Sequence, residues 1–378
     1  MTERPKILMV GPWPPTKGGI TTFMRNVVGS PLKQQYRFIP FTTSRPGKRN
    51  VKGDNYGYLA MFRGGAKRAI MGILITLWHL AIYPFVVVAR WPAVIQIHAS
   101  DFQAFWEAAL YVLMAKILGR PVVLRIGGSF NHFWDSSGAR ARAAIRWTLR
   151  QPAVLVVQSE YWKDYMLSLD LGRAGPVVIV NNFVPDRMVE KRTQEPPAVA
   201  RFLLYAGENP RLKGAYVVFE AVRLLAARGI KAEVTLMAVT APLREEIIAK
   251  GHDAYVNMLD FLSHDEVLAT LRRTDVFLQI STSEGFPNNL LEAMALGCTA
   301  IVTAVGAVPE VVGPGEATAF TVPIGDAPAL AEAMARLAAD PGLLARMAAA
   351  AQARLAEKFT ERSVAKVLDG AYRLAMGR

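Results

Sequence analysis

The sequence predicts an α/β protein built from two doubly wound domains, each a parallel sheet with helices on both faces. Short runs rich in β-branched and apolar residues alternate with longer helical segments, which is the pattern of strand–helix–strand units. The 378 residues suffice for two domains at about 150 residues each. Residues 184–200 are charged, contain prolines and lack periodicity, so they form the best domain boundary.

The predicted strands of the first half are continuous apolar runs, as expected for strands covered on both faces. They span residues 7–10, 94–97, 122–126, 154–157 and 177–180. Helices are predicted over residues 20–28 and 101–118, the second ending at Gly119 and Pro121. Ligands of such sheets bind beyond the carboxyl ends of the strands, so the loops that follow the strands are where a site is expected.

The second half repeats the alternation and ends in helices. Strands are predicted over residues 202–205, 232–237, 275–280 and 299–303, and helices over 215–227 and 288–296. Residues 327–358 are rich in alanine and helical, and residues 361–376 form an amphipathic helix.

Composition and charge narrow the class of protein. The one cysteine, Cys298, excludes a disulfide framework within the chain and fits a reducing, cytoplasmic location. The N-terminal residues predict a first strand, not a signal peptide. Residues 1–185 hold 23 Lys and Arg against 8 Asp and Glu, a net charge of +15, whereas the remainder carries −2. This surplus predicts an anionic partner, and no nucleic-acid-binding motif is present, so an anionic membrane or a phosphorylated substrate is favoured.

Residues 69–89 form a run of 21 residues without a formal charge. Its length permits a membrane span, but His79, Thr76 and Pro84 weaken that interpretation. A helix of the domain and a helix lying on a membrane surface are the two alternatives. The nearby cations Arg63, Lys67 and Arg68 favour the membrane surface over an ordinary core helix.

The most informative segment is residues 281–303, which predicts a strand–helix–strand unit with two carboxylates near the start of its helix. Glu284 lies in the loop after the first strand, and Glu292 about one turn into the helix. Pro287 suits the first helical position, and the amides around Asn288 and Asn289 offer a positive helix end for an anion. A ribose beside that anion would lie near Glu292, so phosphate plus ribose predicts a nucleotide site.

Two glycine-containing loops add weaker signals. The loop after residue 205 holds Gly207, which permits a tight turn, and Arg211 and Lys213, which can reach an anion; a solvated basic turn is the alternative. Gly18 and Gly19 precede a helix and allow the backbone to approach a ligand, although a glycine pair before a helix more often serves only to form a turn.

Several polar side chains follow strands of the first half. His98 comes directly after the strand at residues 94–97, and either a structural or a functional role fits it. Arg125, Asn131 and His132 come from or beside the loop after residue 126 and are candidates for contact with substrate. There is no Asp-x-Asp and no metal-ligand spacing, which predicts no metal and no cofactor. Cations and helix-end amides would hold a diphosphate instead.

The segment from Glu284 to Glu292 resembles the E-x7-E signature of retaining GT-B glycosyltransferases, closest to glycosyltransferase family four. The two glycine-containing loops, residues 180–182, the segment Gly306-x-x-Pro-Glu310 and the final helix lie where that family has comparable features. The resemblance covers nearly the whole chain. It implies a GT-B fold of two Rossmann-like domains facing a central cleft: residues 1–183 bind the acceptor, residues 184–358 bind a nucleotide sugar, and residues 359–378 pack back on the first domain.

The resemblance also implies roles for single residues. Glu292 would hold the ribose, with Gly207, Pro287, Asn288 and Asn289 around the nucleotide. Glu284 would contact the donor sugar or its phosphates. Lys213, helped by Arg211, would neutralise the leaving diphosphate. Gly18 and Gly19 would approach that diphosphate, and His98 would lie near the reacting sugar.

The expected activity is therefore retaining, metal-independent transfer of a sugar from a nucleotide-diphosphate sugar to a glycan or lipid-linked acceptor, in cell-surface polysaccharide or glycolipid assembly. The basic first half favours a polyprenyl-diphosphate-linked acceptor and peripheral attachment to the inner face of an anionic membrane. The alternative is a non-catalytic GT-B-like protein that binds nucleotide or glycan within a complex. Two departures from the family motif, Glu208 and Gly127, motivate it.

Overall fold

The central strands of the first sheet are buried along almost their whole length. The computed structural model describes residues 3–14, 16, 18–44, 66–128, 130–172, 175–191 and 199–377, except for the side chains of 66–69. The first sheet has six parallel strands in the order β2-β1-β3-β4-β5-β6. These are β1 (Lys6–Gly11), β2 (Arg37–Thr42), β3 (Val94–Ala99), β4 (Val122–Ile126), β5 (Val154–Val157) and β6 (Val177–Ile179). The chain reverses direction across the sheet between β1 and β3, which makes that point the topological switch.

Helices cover both faces of this sheet, as the continuous apolar strands require. They are α1 (Gly19–Gly29), α2 (Ala66–Arg90), α3 (Phe102–Ile117), α4 (Phe130–Asp135), α5 (Ala139–Arg150) and α6 (Glu160–Ser168). One face packs against aromatic residues of α3 and α4, including Phe105, Phe130 and Phe133. The other face packs against Phe23 and Met24 of α1.

Helix α2 packs by one side and exposes the other. Tyr83 and Val87 are fully buried, and the Tyr83 ring lies 4.8 Å from Tyr111 of α3. The outward residues are apolar as well, with Trp78 exposed to 64% and Phe85 to 76%. Of the helices described, Ile70–Arg90 has the length and composition to cross a membrane, with a mean hydropathy of 2.0. Arg63 lies outside the described residues.

The final helix, α14 (Glu361–Ala375), belongs to this first unit. Among the described residues, the unit comprises those up to Phe183 and those from Glu361 onward. Tyr372 is fully buried against the sheet, and the Tyr36 hydroxyl donates to Asp369 Oδ1 at 2.6 Å. Burial and the Asp369 carboxylate raise the pKa of Tyr36 to about 12.

The second unit, Val184 to Thr360, holds another six-stranded parallel sheet. Its strands are β7 (Arg201–Tyr205), β8 (Glu233–Met237), β9 (Asn257–Met258), β10 (Val276–Gln279), β11 (Thr299–Thr303) and β12 (Ala319–Val322). Their order is β12-β11-β10-β7-β8-β9, so the winding direction reverses between β7 and β10. Arg201 and the buried Asp275 anchor these two strands through hydrogen bonds of 2.8, 3.0 and 3.1 Å.

Seven helices of the second unit are described, and they bury the two faces of its sheet. They are α7 (Ala215–Ala227), α8 (Ala241–Ala249), α9 (His264–Arg272), α10 (Asn288–Ala295), α11 (Val308–Val312), α12 (Ala327–Ala339) and α13 (Pro341–Lys358). The predicted helical region over residues 327–358 consists of two helices, α12 and α13. Asp340 ends α12 and caps α13, because its Oδ1 accepts from the Leu343 amide at 2.8 Å and Pro341 starts the next helix.

The predicted fold class is confirmed, and three local predictions are corrected. His98 lies inside β3 rather than after it, since the strand continues to Ala99 beside β4. Asn131 and His132 lie in the helix α4, where a loop was expected. Pro287 precedes the first helical residue, Asn288, instead of occupying that position.

Candidate functional site

The candidate site lies at the switch point of the second sheet. Strands β7 and β10 are paired neighbours there, so the loops that follow them leave the same edge side by side. The Thr282 amide donates to the Leu212 carbonyl at 2.9 Å, which ties one loop to the other. This is the position at which doubly wound sheets bind ligands.

A cluster of donors holds one oxygen of Glu284. Its Oε1 accepts from Lys213 Nζ at 2.6 Å, from Gln279 Nε2 at 2.7 Å and from Ser281 Oγ at 2.8 Å. The Gln279 amide also donates to Ser281 Oγ at 2.8 Å. The carboxylate is thus fixed in one orientation by a charge-assisted bond and two neutral ones. Gln279 and Ser281 were not predicted as site residues, although polar residues two apart at the end of an apolar strand share one face.

Two glycines allow other segments to approach this loop closely. A Cβ at Gly214 would lie 2.1 Å from the Ile280 carbonyl oxygen, and one at Gly306 would lie 1.9 Å from the Glu284 carbonyl oxygen. Both residues have positive φ, at +81° and +52°. These positions therefore require glycine, and they pack the Lys213 loop and the Gly306 segment against the loop that carries Glu284.

Glu292 is the fifth residue of α10 and is buried, with 7% of its surface exposed. Its Oε1 lies 3.9 Å from Nε2 of His264, the first residue of α9. His264 is a third candidate site residue that was not predicted from the sequence, because only the packing of α9 beside α10 brings it near Glu292. Gly297, with φ of +80°, follows the end of α10.

The N-terminus of α10 faces the Lys213 loop. Asn289 borders a cavity of about 10 Å³ together with Lys213, Gln279 and Ser281, a volume that fits about one water molecule. Pro287 and Asn288 lie just before and at the helix start, so the positive end of the helix adds to the Lys213 charge. The arrangement can bind an anion next to a buried carboxylate.

Gly207 and Arg211 lie elsewhere in the same loop. Gly207 has φ of +61° and turns the chain after β7. The Arg211 guanidinium lies 4.5 Å from the Tyr216 ring. Hydrogen bonds from Lys250 and Tyr216 lower the pKa of Glu246, and the charge of Arg211 adds a smaller share. The Tyr216 hydroxyl donates to Glu246 at 2.6 Å. Arg211 is thus held on α7, and its role as a second cation for the diphosphate stays a prediction.

In the first unit, Gly18, Gly19 and His98 lie at the carboxyl edge near the switch point. Gly18 has φ of +145°, and Gly19 begins α1. His98 is buried, and its Nε2 lies 2.8 Å from Gln96 Nε2. Burial, followed by the positive charge of Arg125, holds the pKa of His98 well below 6.5, so the imidazole is neutral at pH 7.

Arg125 lies on β4, and its side chain is fully buried under α1. Its Nη2 donates to Asn182 Oδ1 at 2.6 Å, and its guanidinium carbon lies 3.8 Å from the Phe23 ring centre. Burial lowers the pKa of Arg125 to about 9. Asn131 has a buried Oδ1 without a hydrogen-bond partner among the described residues, whereas His132 is exposed. Contact of these three residues with substrate stays a prediction.

Gly127 and Glu208, the two departures from the family motif, each lie beside a defined side chain. A Cβ at Gly127 would lie 3.0 Å from Gln158 Nε2, so the buried Gln158 amide occupies the adjacent space. Glu208 is exposed, and its charge adds to the burial that raises the pKa of Tyr205. Within the described part of the chain, no group of three or more His, Cys, Asp or Glu is placed to hold a metal ion.

Comparison with known proteins finds glycosyltransferases. Residues 186–354 match the family model described as glycosyl transferases group 1. The chain is 32% identical over 180 residues to the MMP alpha-(1->4)-mannosyltransferase of Mycolicibacterium hassiacum, covering 47% of this chain and 44% of that protein. It is 28% identical over 187 residues to the putative colanic acid biosynthesis glycosyltransferase WcaL of Salmonella typhimurium, covering 47% and 46%. The chain thus aligns with less than half the length of these two relatives.

A solved structure extends the likeness to the whole chain. Anabaena HepE in complex with UDP-glucose superposes with a TM-score of 0.69 at 15% identity, covering 97% of this chain and 99% of that one. At that identity the likeness shows the fold alone. Two parallel six-stranded sheets with helices on both faces are the GT-B fold that the sequence predicts.

Proposed function

We propose that this protein is a retaining, metal-independent glycosyltransferase that moves a sugar from a nucleotide-diphosphate sugar to a glycan or lipid-linked acceptor. One observation carries the proposal. Lys213 and Glu284 form an ion pair at the switch point of the second sheet, and Lys213 borders the same cavity as Asn289 in the first turn of α10, the helix that carries the buried Glu292. The match of residues 186–354 to a glycosyltransferase family model supports the same chemistry for that unit.

The proposed reaction places charge where the site holds cations. The bond between the anomeric carbon and the diphosphate oxygen breaks, and the acceptor hydroxyl oxygen forms the new bond to that carbon. The hydroxyl proton passes to the leaving diphosphate. Lys213 and the amides at the start of α10 stabilise the charge that develops on the phosphate oxygens, more strongly in the transition state than in the ground state.

Glu292 supplies the proposed recognition of the nucleotide. A carboxylate near the helix end accepts hydrogen bonds from the two hydroxyls of a ribose whose phosphate sits at that end. Glu284, with one oxygen held by three donors, offers its second oxygen to the donor sugar. The HepE structure contains UDP-glucose, which makes uridine-diphosphate sugars the first donors to test here.

The proposed setting is polysaccharide or glycolipid assembly on the cytoplasmic face of a membrane, with a polyprenyl-diphosphate-linked acceptor. The relative that carries colanic acid biosynthesis in its name supports the first part. The net charge of +15 in residues 1–185 supports an anionic surface or acceptor. The non-catalytic alternative has less support, because Lys213 is in place beside Glu284 despite Glu208 and Gly127.

Helix α2 is the proposed membrane contact. Its outward residues form an apolar stripe that runs the length of the helix, at Ile70, Leu74, Leu77, Trp78, Phe85 and Val88. Tyr83 and Val87 anchor the opposite side of α2 in the core. If α2 crossed a membrane, the contact of Tyr83 with Tyr111 of α3 would be lost. A helix lying in the interface satisfies both faces.

A donor screen followed by a transfer assay tests the function. Thermal shift with a panel of nucleotide sugars identifies the donor, because a ligand of the folded state raises the melting temperature. Transfer from that donor to lipid-linked and free glycan acceptors is then followed by NMR of the product. An α-linked product from an α-linked donor is expected. Donor binding without transfer to any acceptor would favour the non-catalytic alternative, and an inverted anomer would exclude retention.

A further inference from the structure

A chain of buried polar groups joins the final helix to β3 in the first unit. The Tyr372 hydroxyl of α14 donates to Oε1 of Gln96, and Gln96 Nε2 lies 2.8 Å from His98 Nε2. All three side chains are buried in the face of the sheet covered by α1 and α14. Gln96 and His98 are two residues apart on one strand, so both point to that face.

The structure shows which way the Gln96 amide is turned. Its oxygen faces Tyr372, so the hydroxyl donates and the oxygen accepts, and its nitrogen faces His98 and donates to that ring. A reversed amide would exchange these roles, because the Tyr372 hydroxyl would accept and His98 would donate from Nε2. Each arrangement leaves one buried donor without a partner among the described residues, which is the Tyr372 hydroxyl in the reversed one and the His98 Nδ1–H in the observed one.

This orientation selects the tautomer of His98. A nitrogen that accepts a hydrogen bond carries no proton, so Nε2 is bare and the proton is on Nδ1. The Nδ1 atom is buried and has no hydrogen-bond partner among the described residues. The cross-strand neighbour Arg125 adds a positive charge beside the ring, which favours the neutral form. His98 therefore holds one unsatisfied N–H donor.

We infer that Tyr372 and Gln96 are positioning residues, which hold His98 as the Nδ1–H tautomer so that it donates a hydrogen bond to an acceptor oxygen of the substrate. The substrate part of this inference rests on the proposed function. The tautomer itself does not, because it follows from contacts within the first unit. The C-terminal helix thereby takes part in positioning His98, through a contact between residues 276 apart in the sequence.

The test reads the tautomer directly in the ligand-free, full-length protein. Two-bond proton–nitrogen correlation spectra of protein with ¹⁵N-labelled histidine distinguish protonated from bare ring nitrogens, and a His98→Gln spectrum assigns the His98 signals. The wild-type protein should show bare Nε2 and protonated Nδ1 at neutral pH. Free imidazole side chains prefer the opposite tautomer, so this result cannot arise by default.

Two variants remove the support in different ways. Tyr372→Phe deletes the hydroxyl, and Gln96→Leu deletes the amide; both should shift His98 toward the Nε2–H form. The control is Tyr83→Phe, which removes a buried hydroxyl on the opposite face of the same sheet and should leave the spectrum unchanged. If Tyr372→Phe does not fold, Gln96→Leu and the wild-type spectrum still decide the outcome.

Steady-state kinetics test the contact between His98 and the substrate. With an active donor and acceptor pair, Tyr372→Phe should lower kcat roughly tenfold with little change in donor KM, since the loss concerns one hydrogen bond of the transition state. Tyr83→Phe should retain wild-type kcat.

The spectra and the kinetics test separate parts of the inference. A wild-type His98 with protonated Nε2, or a Tyr372→Phe spectrum identical to the wild type, would overturn the inference whatever the enzyme does. A correct tautomer with an unchanged Tyr372→Phe kcat would overturn the substrate contact. Absence of any sugar transfer by the wild-type protein would count against the proposed function and leave the spectroscopic result intact.

Discussion

Lys213 Nζ lies 2.6 Å from Glu284 Oε1, and the same oxygen accepts from Gln279 and Ser281. An ammonium has three donors, so the ion pair engages one of them and leaves two for a phosphate. The carboxylate thereby orients the lysine without neutralising its capacity to bind an anion. The pair aligns the cation with the N-terminus of α10, where a leaving diphosphate would gain from both.

Lys213→Ala should lower kcat by about 10²–10³, the usual loss when one donor to a developing oxyanion is removed. Donor KM should change little, because the lysine acts mainly in the transition state. Steady-state kinetics with the identified donor provide the measurement. Lys250→Ala removes an exposed lysine paired with Glu246 and should be silent. Equal rates in the Lys213→Ala variant and the wild type would exclude the proposed role.

Glu292→Gln should weaken nucleoside diphosphate binding roughly 10- to 100-fold, since charge-assisted hydrogen bonds contribute about 1.5–3 kcal/mol. A more specific expectation concerns the ribose of the nucleotide. Calorimetry with ribonucleotides and their 2′-deoxy counterparts should show discrimination in the wild type and almost none in the variant. Glu316→Gln, an exposed change in the same unit, is the control. Discrimination retained by Glu292→Gln would place the ribose elsewhere.

Gly214→Ala should destabilise the protein by roughly 3 kcal/mol or more, because it combines a positive φ with a collision against backbone. The added Cβ would lie 2.1 Å from the Ile280 carbonyl oxygen. Gly251 also has positive φ, but a Cβ there meets nothing within 4 Å. Gly251→Ala should therefore lose only about 1–2 kcal/mol. Urea denaturation compares the two, and equal losses would show that the close approach of the loops is not required.

The buried neutral His98 predicts a stability that falls in acid. Its pKa lies well below 6.5 in the folded protein and near 6.5 in the unfolded chain. Below pH 6.5 the unfolded chain binds a proton that the folded protein does not, so acid favours unfolding. Between pH 7.5 and 5.0 the wild type should lose up to about 2 kcal/mol more than His98→Gln. The same loss in both proteins would mean that His98 titrates normally.

Replacing Trp78 and Phe85 with glutamate should abolish binding to anionic vesicles. Each large apolar side chain contributes about 1.5–3 kcal/mol when buried, so the double variant should lose at least about 100-fold in affinity. Vesicle co-sedimentation at low and high salt measures this. Ile324→Glu adds charge at an exposed apolar site of the second unit and serves as the control. Wild-type binding by the double variant would exclude α2 as the contact.

Sequence patterns alone predict the fold class and the segment that carries Glu284 and Glu292. Apolar runs alternating with helical periods determine strands and helices locally, and the spacing of Glu284 and Glu292 follows from one loop and one helix. Periodicity did not reveal where elements stop: β3 runs through His98 because pairing with β4 extends it. The roles assigned to the site residues stay predictions.

Which loops come into contact depends on the order of the strands in the folded sheet. Strand order places β7 beside β10 although 70 residues separate Tyr205 from Asp275, and this pairing brings Lys213 to Glu284. The same is true of Tyr372 and Gln96, which are 276 residues apart. Local patterns encode burial and backbone preference, whereas the choice among pairings depends on long-range packing of both faces of the sheet, which no single segment contains.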